Sequence, residues 1–344
     1  MKPVFIICLT IFLSTGFLQA KEIVPQVNEE FRPDTGGSYT NDIDSYLKKY
    51  RLHKAVEMMK NFRNTHKIEA DDVMTLALQF ECLGDHIVKL DTENNHSIPL
   101  NDKETSAFLD ALNDFYRQSD FRKFFDQHSD VYANGILSFY NSVVSHIDPS
   151  WYSRFYGTQP NKDLHIVIGF ASGGNYYRAT RTRQGGPEEI FSIMYYAVDN
   201  NGRPLYDKSA VGTITEELCL SFIDIENNDV KTTLEKACEN VHRYTREKPI
   251  AAVTDKSIME ESLAYASAIY YLIDNGSSKK SIRKAVDEGI ERGFSWTPEL
   301  IKRIYYYTEN RKEFPTFASF YPEIIEFFKD YTANLGKTIL KVLR

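Results

Sequence analysis

The hydrophobic pattern of this chain changes its period twice, and this limits the possible folds more than any single motif does. From Asp42 to about Asp148, apolar side chains recur every three or four residues, as in amphipathic helices. After Pro160, three short apolar or alternating runs lie within residues 164–199 and are separated by glycine-rich turns, which is typical of strands. Helical spacing returns at residue 209. The sequence therefore predicts an α+β fold that is mostly helical, with one small sheet.

The same changes of period suggest how the chain is divided. Residues 41–155 form a predicted helical N-terminal part, in which Asn101–Glu104 has the residue types of a capped helix start. Residues 156–344 form the second part, with strands within 164–199. The predicted helices of the second part are 209–225 and, within 231–344, residues 231–246, 256–274, 278–292, 298–311 and from Pro322 onwards.

The first twenty residues predict an export signal. Lys2 gives a short positive start, Val4–Leu13 an apolar stretch, and Leu18–Ala20 a cleavage site, so residues 1–20 are expected to be removed. The apolar stretch is short for a membrane span, and we therefore expect no transmembrane segment after cleavage. Residues 21–40 contain proline and glycine with few apolar side chains, which indicates a flexible tether. We expect an exported protein, periplasmic or extracellular.

The composition excludes one class of partner and argues against a disulfide framework. The formal net charge is −7, from 48 acidic and 41 basic residues, so the chain lacks the positive balance of nucleic-acid-binding proteins. The cysteines that remain after cleavage are Cys82, Cys219 and Cys238. A bridge from Cys219 to Cys238 stays open, although free buried thiols are favoured. Because Cys219 has no histidine near it in sequence, we interpret it as a core residue rather than a nucleophile.

Charged residues of the predicted strands have ordinary structural explanations. Arg178, Arg181 and Arg183 lie in the second predicted strand, where we interpret them as a solvated edge that opposes aggregation. His165 lies in the first predicted strand. We expect it to contact a local partner rather than to bind a metal ion.

The segment Thr213–Phe222, T-I-T-E-E-L-C-L-S-F, has the frame of a zinc-peptidase helix without its metal ligands. In an H-E-x-x-H helix, two histidines one turn apart bind zinc, and the glutamate beside the first histidine is the general base. Here Glu217 keeps the base position, whereas the two histidine positions hold Glu216 and Leu220. Leucine has no lone pair to donate, and the adjacent Glu216 and Glu217 face different ways, so we predict neither zinc nor a harder ion such as calcium or magnesium at this site.

Helical geometry gives the predicted helix over 209–225 two distinct faces. One face has apolar residues at spacings of three and four, and we expect it to cover the sheet. Its members are Val211, Ile214, Leu218, Phe222 and Ile225. Glu216 and Leu220 point in nearly the opposite direction, with Ile223 near them. The apolar residues on this second face imply that it is covered too, so that the helix lies between the sheet and later helices.

Together with three other segments, the motif resembles a family of bacterial exported proteins that carry a domain of unknown function. The core motif of that family is close to H-E-F-C-H-S-F, against Glu217–Phe222 here, and a later helix reads approximately E-S-L-V-R-A, against Glu261–Ala266. Gly173–Tyr176 and Phe314–Pro322 also match, in the expected order. The resemblance implies a zincin-like fold, in which a small β-sheet and an active-site-type helix are flanked by N-terminal and C-terminal helical parts.

The resemblance also implies which residues form the former site. Glu261 takes the position of the third zinc ligand, and Tyr265 stands one turn later, where the family has arginine. The expected cleft consists of Glu216, Leu220, Glu261 and Tyr265, with Asn175 and Tyr176. No cofactor is expected there.

Without a metal ion, the carboxylates of this cleft need another source of compensation. Glu217 and Glu261 are expected within about 8 Å of each other, since the first acted as base and the second as ligand at one metal. Two neighbouring carboxylates raise the pKa of at least one of them unless a cation lies close. The expected cation is a strand arginine, Arg178 or Arg181.

Two hypotheses for function follow. In the first, which the missing histidines favour, the chain is an inactive metallopeptidase-like protein that acts as a binding or scaffold domain and holds a peptide or protein ligand along Gly173–Arg183. In the second, it is a metal-dependent hydrolase or peptidase whose site has been rebuilt with carboxylates and a borrowed histidine. Metal analysis of the purified protein discriminates between them. The sequence identifies neither the ligand nor the oligomeric state.

Overall fold

A computed structural model describes most of the chain from Ser38 onwards. The described residues are 38–68, 70–93, 100–170, 176–195, 198, 206, 209–225, 232–233, 236 and 258–342. The predicted export signal and the tether up to residue 37 lie outside this set. So do Asn175, Cys238 and most of the helix predicted at 231–246.

The described part of the chain is mostly helical and contains two small sheets. Its helices are α1 Ser38–Leu47, α2 Lys54–His66, α3 Ala70–Ala77, α4 Asp102–Gln118, α5 Phe121–Gln127, α6 Ser129–Ser142, α7 Pro149–Tyr156, α8 Ser209–Leu220, α9 Ile258–Asp274, α10 Lys279–Glu291, α11 Thr297–Glu309 and α12 Tyr321–Val342. Its strands are β1 Phe80–Leu83, β2 His86–Lys89, β3 Lys162–Gly169, β4 Tyr177–Thr182 and β5 Glu188–Tyr195. The predicted fold class, a mostly helical α+β protein, is confirmed. No described helix is both long and apolar enough to cross a membrane.

Packing divides the chain into two compact units, and each unit is made from two separate segments. The first unit takes the described residues up to His146 together with Lys162–Ala210. The second unit takes Ile147–Asn161 and the chain from Val211 onwards. Thus the three later strands cluster with the N-terminal helices, whereas α7 clusters with the C-terminal helices. The boundary predicted at residue 155 divides the chain by sequence order alone, into residues 41–155 and 156–344. It stays a prediction.

Helix α1 begins inside the segment expected to be a tether, so the tether prediction is wrong for residues 38–40. Tyr39 is only 2% exposed. Its hydroxyl lies 3.0 Å from the hydroxyl of Tyr132, and its ring makes an edge contact with Phe170 at 5.7 Å between centroids. An aromatic side chain buried in such a cluster stabilises the first turn of α1 against the rest of the first unit.

The start of α4 is set by local sequence, as predicted. The side chain of Asn101 accepts a hydrogen bond from the backbone nitrogen of Glu104, and the Glu104 carboxylate accepts one from the backbone nitrogen of Asn101, both at 3.0 Å. This reciprocal cap satisfies two donors that a helix start otherwise leaves without partners.

The β1–β2 hairpin is absent from the sequence prediction, which continues a helical pattern through Phe80. Helix α3 instead ends at Ala77, and Phe80 opens β1. Asn113 of α4 fixes the second strand, because its side-chain amide accepts from the nitrogen of Ile87 at 2.7 Å and donates to the oxygen of Ile87 at 2.9 Å. A side chain distant in sequence therefore satisfies the edge of the hairpin, which local periodicity does not reveal.

The later sheet has the order β3, β5, β4, with β5 parallel to β3 and antiparallel to β4. Arg181 of β4 lies directly opposite Glu189 of β5 and binds both of its carboxylate oxygens, at 2.7 and 2.9 Å. Arg181 is 7% exposed and also donates to the carbonyl of Leu78 at 3.0 Å. The interpretation of Arg181 as part of a solvated edge is therefore wrong.

His165 on β3 has the local partners that the sequence predicts. Its ring stacks on Phe191 with 4.6 Å between centroids, and its Nε2 lies 3.2 Å from the Glu189 carboxylate. Burial alone would raise the pKa of Glu189, but hydrogen bonds from Arg181 and Arg183 and their charges lower it below its usual value. The sheet thus contains an ion cluster with Glu189 at its centre.

In the second unit, the segment Arg311–Pro322 contacts the end of α7. The backbone nitrogen of Phe317 donates to the carbonyl of Tyr156 at 2.9 Å, and Arg311 donates through Nη1 to the carbonyl of Phe155 at 2.5 Å. The last carbonyls of a helix have no partners within the helix itself. This segment therefore completes α7 from a distant part of the sequence.

The close approach of this segment to Gly157 generates a stability prediction. Gly157 has φ +71°, and a Cβ there would lie 2.3 Å from the carbonyl oxygen of Pro315. Gly276 has nearly the same backbone angle, φ +70°, with nothing within 4 Å of its Cβ position. We expect Gly276→Ala to cost about 1–2 kcal/mol for the left-handed backbone. We expect Gly157→Ala to cost roughly 1–3 kcal/mol more, because the neighbouring backbone must move.

Denaturant unfolding followed by circular dichroism measures both variants. Equal losses for Gly157→Ala and Gly276→Ala would show that the approach of Pro315 does not restrict the position.

Candidate functional site

Helix α8 contains the motif but ends at Leu220 rather than at Ile225. The Ser221 hydroxyl donates to the carbonyl of Leu218 at 2.7 Å, and the nitrogen of Ile223 donates to the carbonyl of Leu220 at 3.2 Å. A serine that bonds to a carbonyl of its own helix competes with the helical pattern. The motif is therefore the last turn of the helix and not its middle.

The face of α8 that carries Glu216 and Leu220 is deeply buried, as predicted. Glu216 is 8% exposed and Leu220 6%, and Ile223 beyond the helix is fully buried. The other face was expected to cover the sheet, yet three of its members, Val211, Leu218 and Phe222, are only half-buried. A carboxylate on the more deeply buried face needs a compensating partner inside the second unit.

Arg292 is that partner, and it contacts the carboxylates of two helices. Directly after α10, it donates through Nη1 and Nη2 to the two oxygens of Glu216, at 2.9 and 2.7 Å. The same Nη2 lies 3.9 Å from a carboxylate oxygen of Glu261 on α9. Glu261 is 7% exposed, whereas the Arg292 side chain is 33% exposed. A bidentate, charge-assisted ion pair thus joins α8 to the end of α10.

The charge of Arg292 is secured by this environment. Burial alone would lower the pKa of Arg292, but the hydrogen bonds and charge of Glu216, followed by the charge of Glu261, raise it above its usual value. The guanidinium is therefore charged at every pH at which the protein is folded. Arg181, named from the sequence as a source of this charge, binds Glu189 in the first unit.

Tyr265 covers the guanidinium with its ring. The central carbon of Arg292 lies 4.4 Å from the Tyr265 ring centroid and 5.4 Å from that of Phe294, so both aromatic faces contact the cation. The Tyr265 hydroxyl donates to the carbonyl of Ala285 on α10 at 2.7 Å, and burial raises the pKa of Tyr265 to about 12. Tyr265 therefore binds α10 as a neutral hydroxyl and fixes the position of Arg292.

The structure brings together some of the sequence-predicted site residues. Glu216, Glu261 and Tyr265 meet around Arg292, as described above. Tyr176 lies just before β4 in the first unit and is half-buried, and Asn175 lies outside the described residues. Glu217 is 1% exposed, and its expected approach to Glu261 stays a prediction.

The donor set does not fit a zinc ion. Within the described part of the chain, no group of three or more His, Cys, Asp or Glu side chains is placed to hold a metal ion. Leu220 stands at a position that the sequence frame assigns to a ligand, and the Arg292 guanidinium lies against Glu216 and Glu261. Cys219 is a free, fully buried thiol whose pKa is raised by burial, so it is a poor nucleophile and a poor metal ligand.

Sequence reasoning missed Arg292. An arginine at the end of a helix is common because it interacts favourably with the helix dipole, so its position in the sequence is not distinctive. The only available signal is indirect. Buried carboxylates on α8 and α9 require a cation, and the predicted metal-free site leaves that cation to be supplied by a side chain.

The Arg292–Glu216 pair generates a second prediction. We expect Arg292→Met to destabilise the protein by about 2–4 kcal/mol, because it leaves a buried carboxylate without its partner. Glu216→Gln in the same chain should recover part of this loss, since the buried charge is then removed. Lys302→Met, at an exposed position on α11, serves as the control and should change stability by less than about 0.5 kcal/mol. Thermal unfolding of the unaltered chain, the two single variants Arg292→Met and Glu216→Gln, and the double variant measures the coupling, and strictly additive losses would contradict it.

Two helical glycines generate a third prediction, in which substitution by alanine changes the stability in opposite directions. A Cβ at Gly289 of α10 would lie 2.6 Å from Cε1 of Tyr265, whereas a Cβ at Gly212 of α8 meets nothing within 4 Å. We expect Gly289→Ala to destabilise by about 1–3 kcal/mol, because the Tyr265 ring must move away from Arg292. Gly212→Ala should stabilise by about 0.5–1 kcal/mol through helix propensity alone. Chemical denaturation checks both, and a stabilising Gly289→Ala would show that the ring is not fixed.

Comparison of the sequence with known proteins gives one match. Residues 11–327 match a family described as Domain of unknown function (DUF4932). No curated protein and no solved structure matches the chain. Because the match spans nearly the whole sequence, the chain belongs to this domain-of-unknown-function family.

Proposed function

We propose that this chain is an exported, inactive relative of zincin-type metallopeptidases that acts as a binding or scaffold domain for a peptide or protein. The contacts of Arg292 are the observation that carries the proposal. Its guanidinium binds Glu216 through two hydrogen bonds and lies 3.9 Å from Glu261. The motif frame assigns a zinc ligand to position 216, and the family resemblance assigns one to position 261. A side chain therefore takes the place of the metal ion as the local positive charge.

Replacing the zinc ion by a guanidinium preserves the packing around the carboxylates but removes the catalytic chemistry of the metal. Zinc in a peptidase binds a water molecule and lowers its pKa to near neutrality, and that water attacks the substrate. A guanidinium neutralises carboxylates and donates hydrogen bonds to them in a fixed plane. It has no empty coordination position for water. Glu217, at the position of the general base, then has no activated water to deprotonate.

A rebuilt, carboxylate-based hydrolase has less support. Such a site needs Glu216 and Glu261 to be accessible to a metal ion, yet both carboxylate oxygens of Glu216 accept hydrogen bonds from Arg292. His165, a candidate for the borrowed histidine, lies in the first unit, with its ring on Phe191 and its nitrogen near Glu189.

An extended peptide is the ligand that the strand arrangement suits. In the three-stranded sheet, β4 is an outer strand, and adding a peptide strand to such an edge is a common mode of recognition. The C-terminal end of β4 is already paired, because the nitrogen of Glu93 donates to the carbonyl of Thr182 at 2.9 Å. We place the proposed peptide along β4, within the segment Gly173–Arg183 named from the sequence.

Metal content and peptidase activity test the proposal. We expect the purified mature chain to contain zinc well below one ion per molecule and to leave unfolded protein substrates intact, because no imidazole pair and no activated water are present. Glu217→Gln should change neither result. Tightly bound zinc that a chelator removes, together with peptidase activity lost in Glu217→Gln, would overturn the proposal.

A matched pair of variants tests the role of Arg292 directly. Glu216→His with Leu220→His restores the two imidazoles, and the same pair is made with Arg292→Ala. We expect zinc affinity to be roughly tenfold or more higher when Arg292 is also replaced, since its charge then no longer opposes the ion. Equal zinc affinity in the two backgrounds would show that Arg292 does not occupy the place of the metal.

A further inference from the structure

The charges of α10 run against its helix dipole. Its first turns carry four exposed cations, Lys279, Lys280, Arg283 and Lys284. Its last turns carry three exposed anions, Asp287, Glu288 and Glu291. A helix has partial positive charge at its N-terminus and partial negative charge at its C-terminus, so both groups stand at the unfavourable end. The charge pattern therefore does not stabilise the helix that carries it.

Interactions along the helix account for only part of the pattern. Lys280 and Lys284 are one turn apart, as are Asp287 and Glu291, and like charges at this spacing repel. Within α10, the ion pair that the structure shows is Lys284 with Glu288, at 3.2 Å. The remaining cations and anions face solvent.

The charged residues form one outward stripe. Lys280, Lys284, Asp287 and Glu291 follow one another at spacings of four, three and four, which places them on a single helix face. Gly289, on the opposite face, is buried against the Tyr265 ring. The stripe and its neighbours Arg283 and Glu288 line one open surface depression.

We propose that this face binds α10 of a second copy of the chain, in antiparallel orientation. The two-fold axis runs between the two helices, perpendicular to them, at the height midway between Ala285 and Val286. This register places every member of the stripe opposite a residue of the other sign. Lys280 then lies opposite Glu291 of the second copy, and Lys284 lies opposite Asp287. Symmetry repeats each pair.

This register explains both unfavourable features of the isolated helix. Each cationic N-terminal half lies against an anionic C-terminal half, and the two helix dipoles are antiparallel. A ligand of one sign, such as an acidic peptide, would compensate only one half of the stripe. A two-fold interface is self-complementary by definition, and the α10 stripe is self-complementary in charge and in spacing.

The interface is small and polar, so the association should be weak and sensitive to salt. A helix of 13 residues is about 20 Å long, which limits the buried area to the lower range of protein interfaces. Exposed ion pairs are screened as ionic strength rises. We expect association at high protein concentration and low salt, and dissociation at high salt.

Sedimentation equilibrium of the full mature chain tests the proposal. Between about 50 mM and about 500 mM NaCl, where the screening length falls roughly threefold, the dissociation constant should rise by at least about tenfold. The acidic variant Lys280→Glu/Lys284→Glu and the basic variant Asp287→Lys/Glu291→Lys should each be monomeric at low salt. Both variants improve the match to the helix dipole, so loss of association does not reflect loss of the helix.

An equimolar mixture of the acidic and basic variants should associate again, as a mixed dimer. The control Lys302→Glu/Lys312→Glu changes the net charge by the same amount as the acidic variant, at exposed positions outside α10. It should associate like the unaltered chain. A monomeric unaltered chain at low salt, association that survives either charge reversal, or failure of the mixture to associate would each overturn the proposal. Loss of association in the control would place the interface elsewhere and overturn it as well.

Discussion

The second unit depends on one requirement, that the carboxylate of Glu216 must not be buried without a counter-charge. Transfer of an unpaired carboxylate into a protein interior costs several kcal/mol, more than a single helix contact returns. Arg292 meets the requirement only because the end of α10 lies beside α8 and α9, and α10 lies there because Gly289 admits the Tyr265 ring. The Arg292–Glu216 ion pair, the Tyr265 ring and the missing side chain at Gly289 therefore depend on one another.

The two units solve the same problem in the same way. In the first unit, Arg181 binds both oxygens of Glu189, and in the second, Arg292 binds both oxygens of Glu216. Each guanidinium also lies over an aromatic ring, that of Phe191 or that of Tyr265. Arginine suits this role because its planar fork matches a carboxylate and its flat face matches an aromatic ring.

Local patterns predict the parts of this protein that local forces determine. The capping box at Asn101 and the bounds of α9, α10 and α11 follow from spacing and turn residues, and the observed ends differ from the predicted ones by a residue or two. The β1–β2 hairpin and the role of Arg292 could not be obtained in this way. Each depends on one side chain, Asn113 or Arg292, that meets a partner distant in sequence. Periodicity carries no information about such partners.

The interleaving of the two units also affects how the chain can be assembled. The chain passes from one unit to the other after His146, again after Asn161 and once more after Ala210. During synthesis, the first unit can be completed once Ala210 has emerged, whereas α7 must wait for the C-terminal helices. Its large aromatic side chains, among them Trp151 and Tyr152, are buried in the finished unit, so they stay exposed to solvent and to chaperones in the meantime. For the same reason, neither unit can be excised as one continuous fragment.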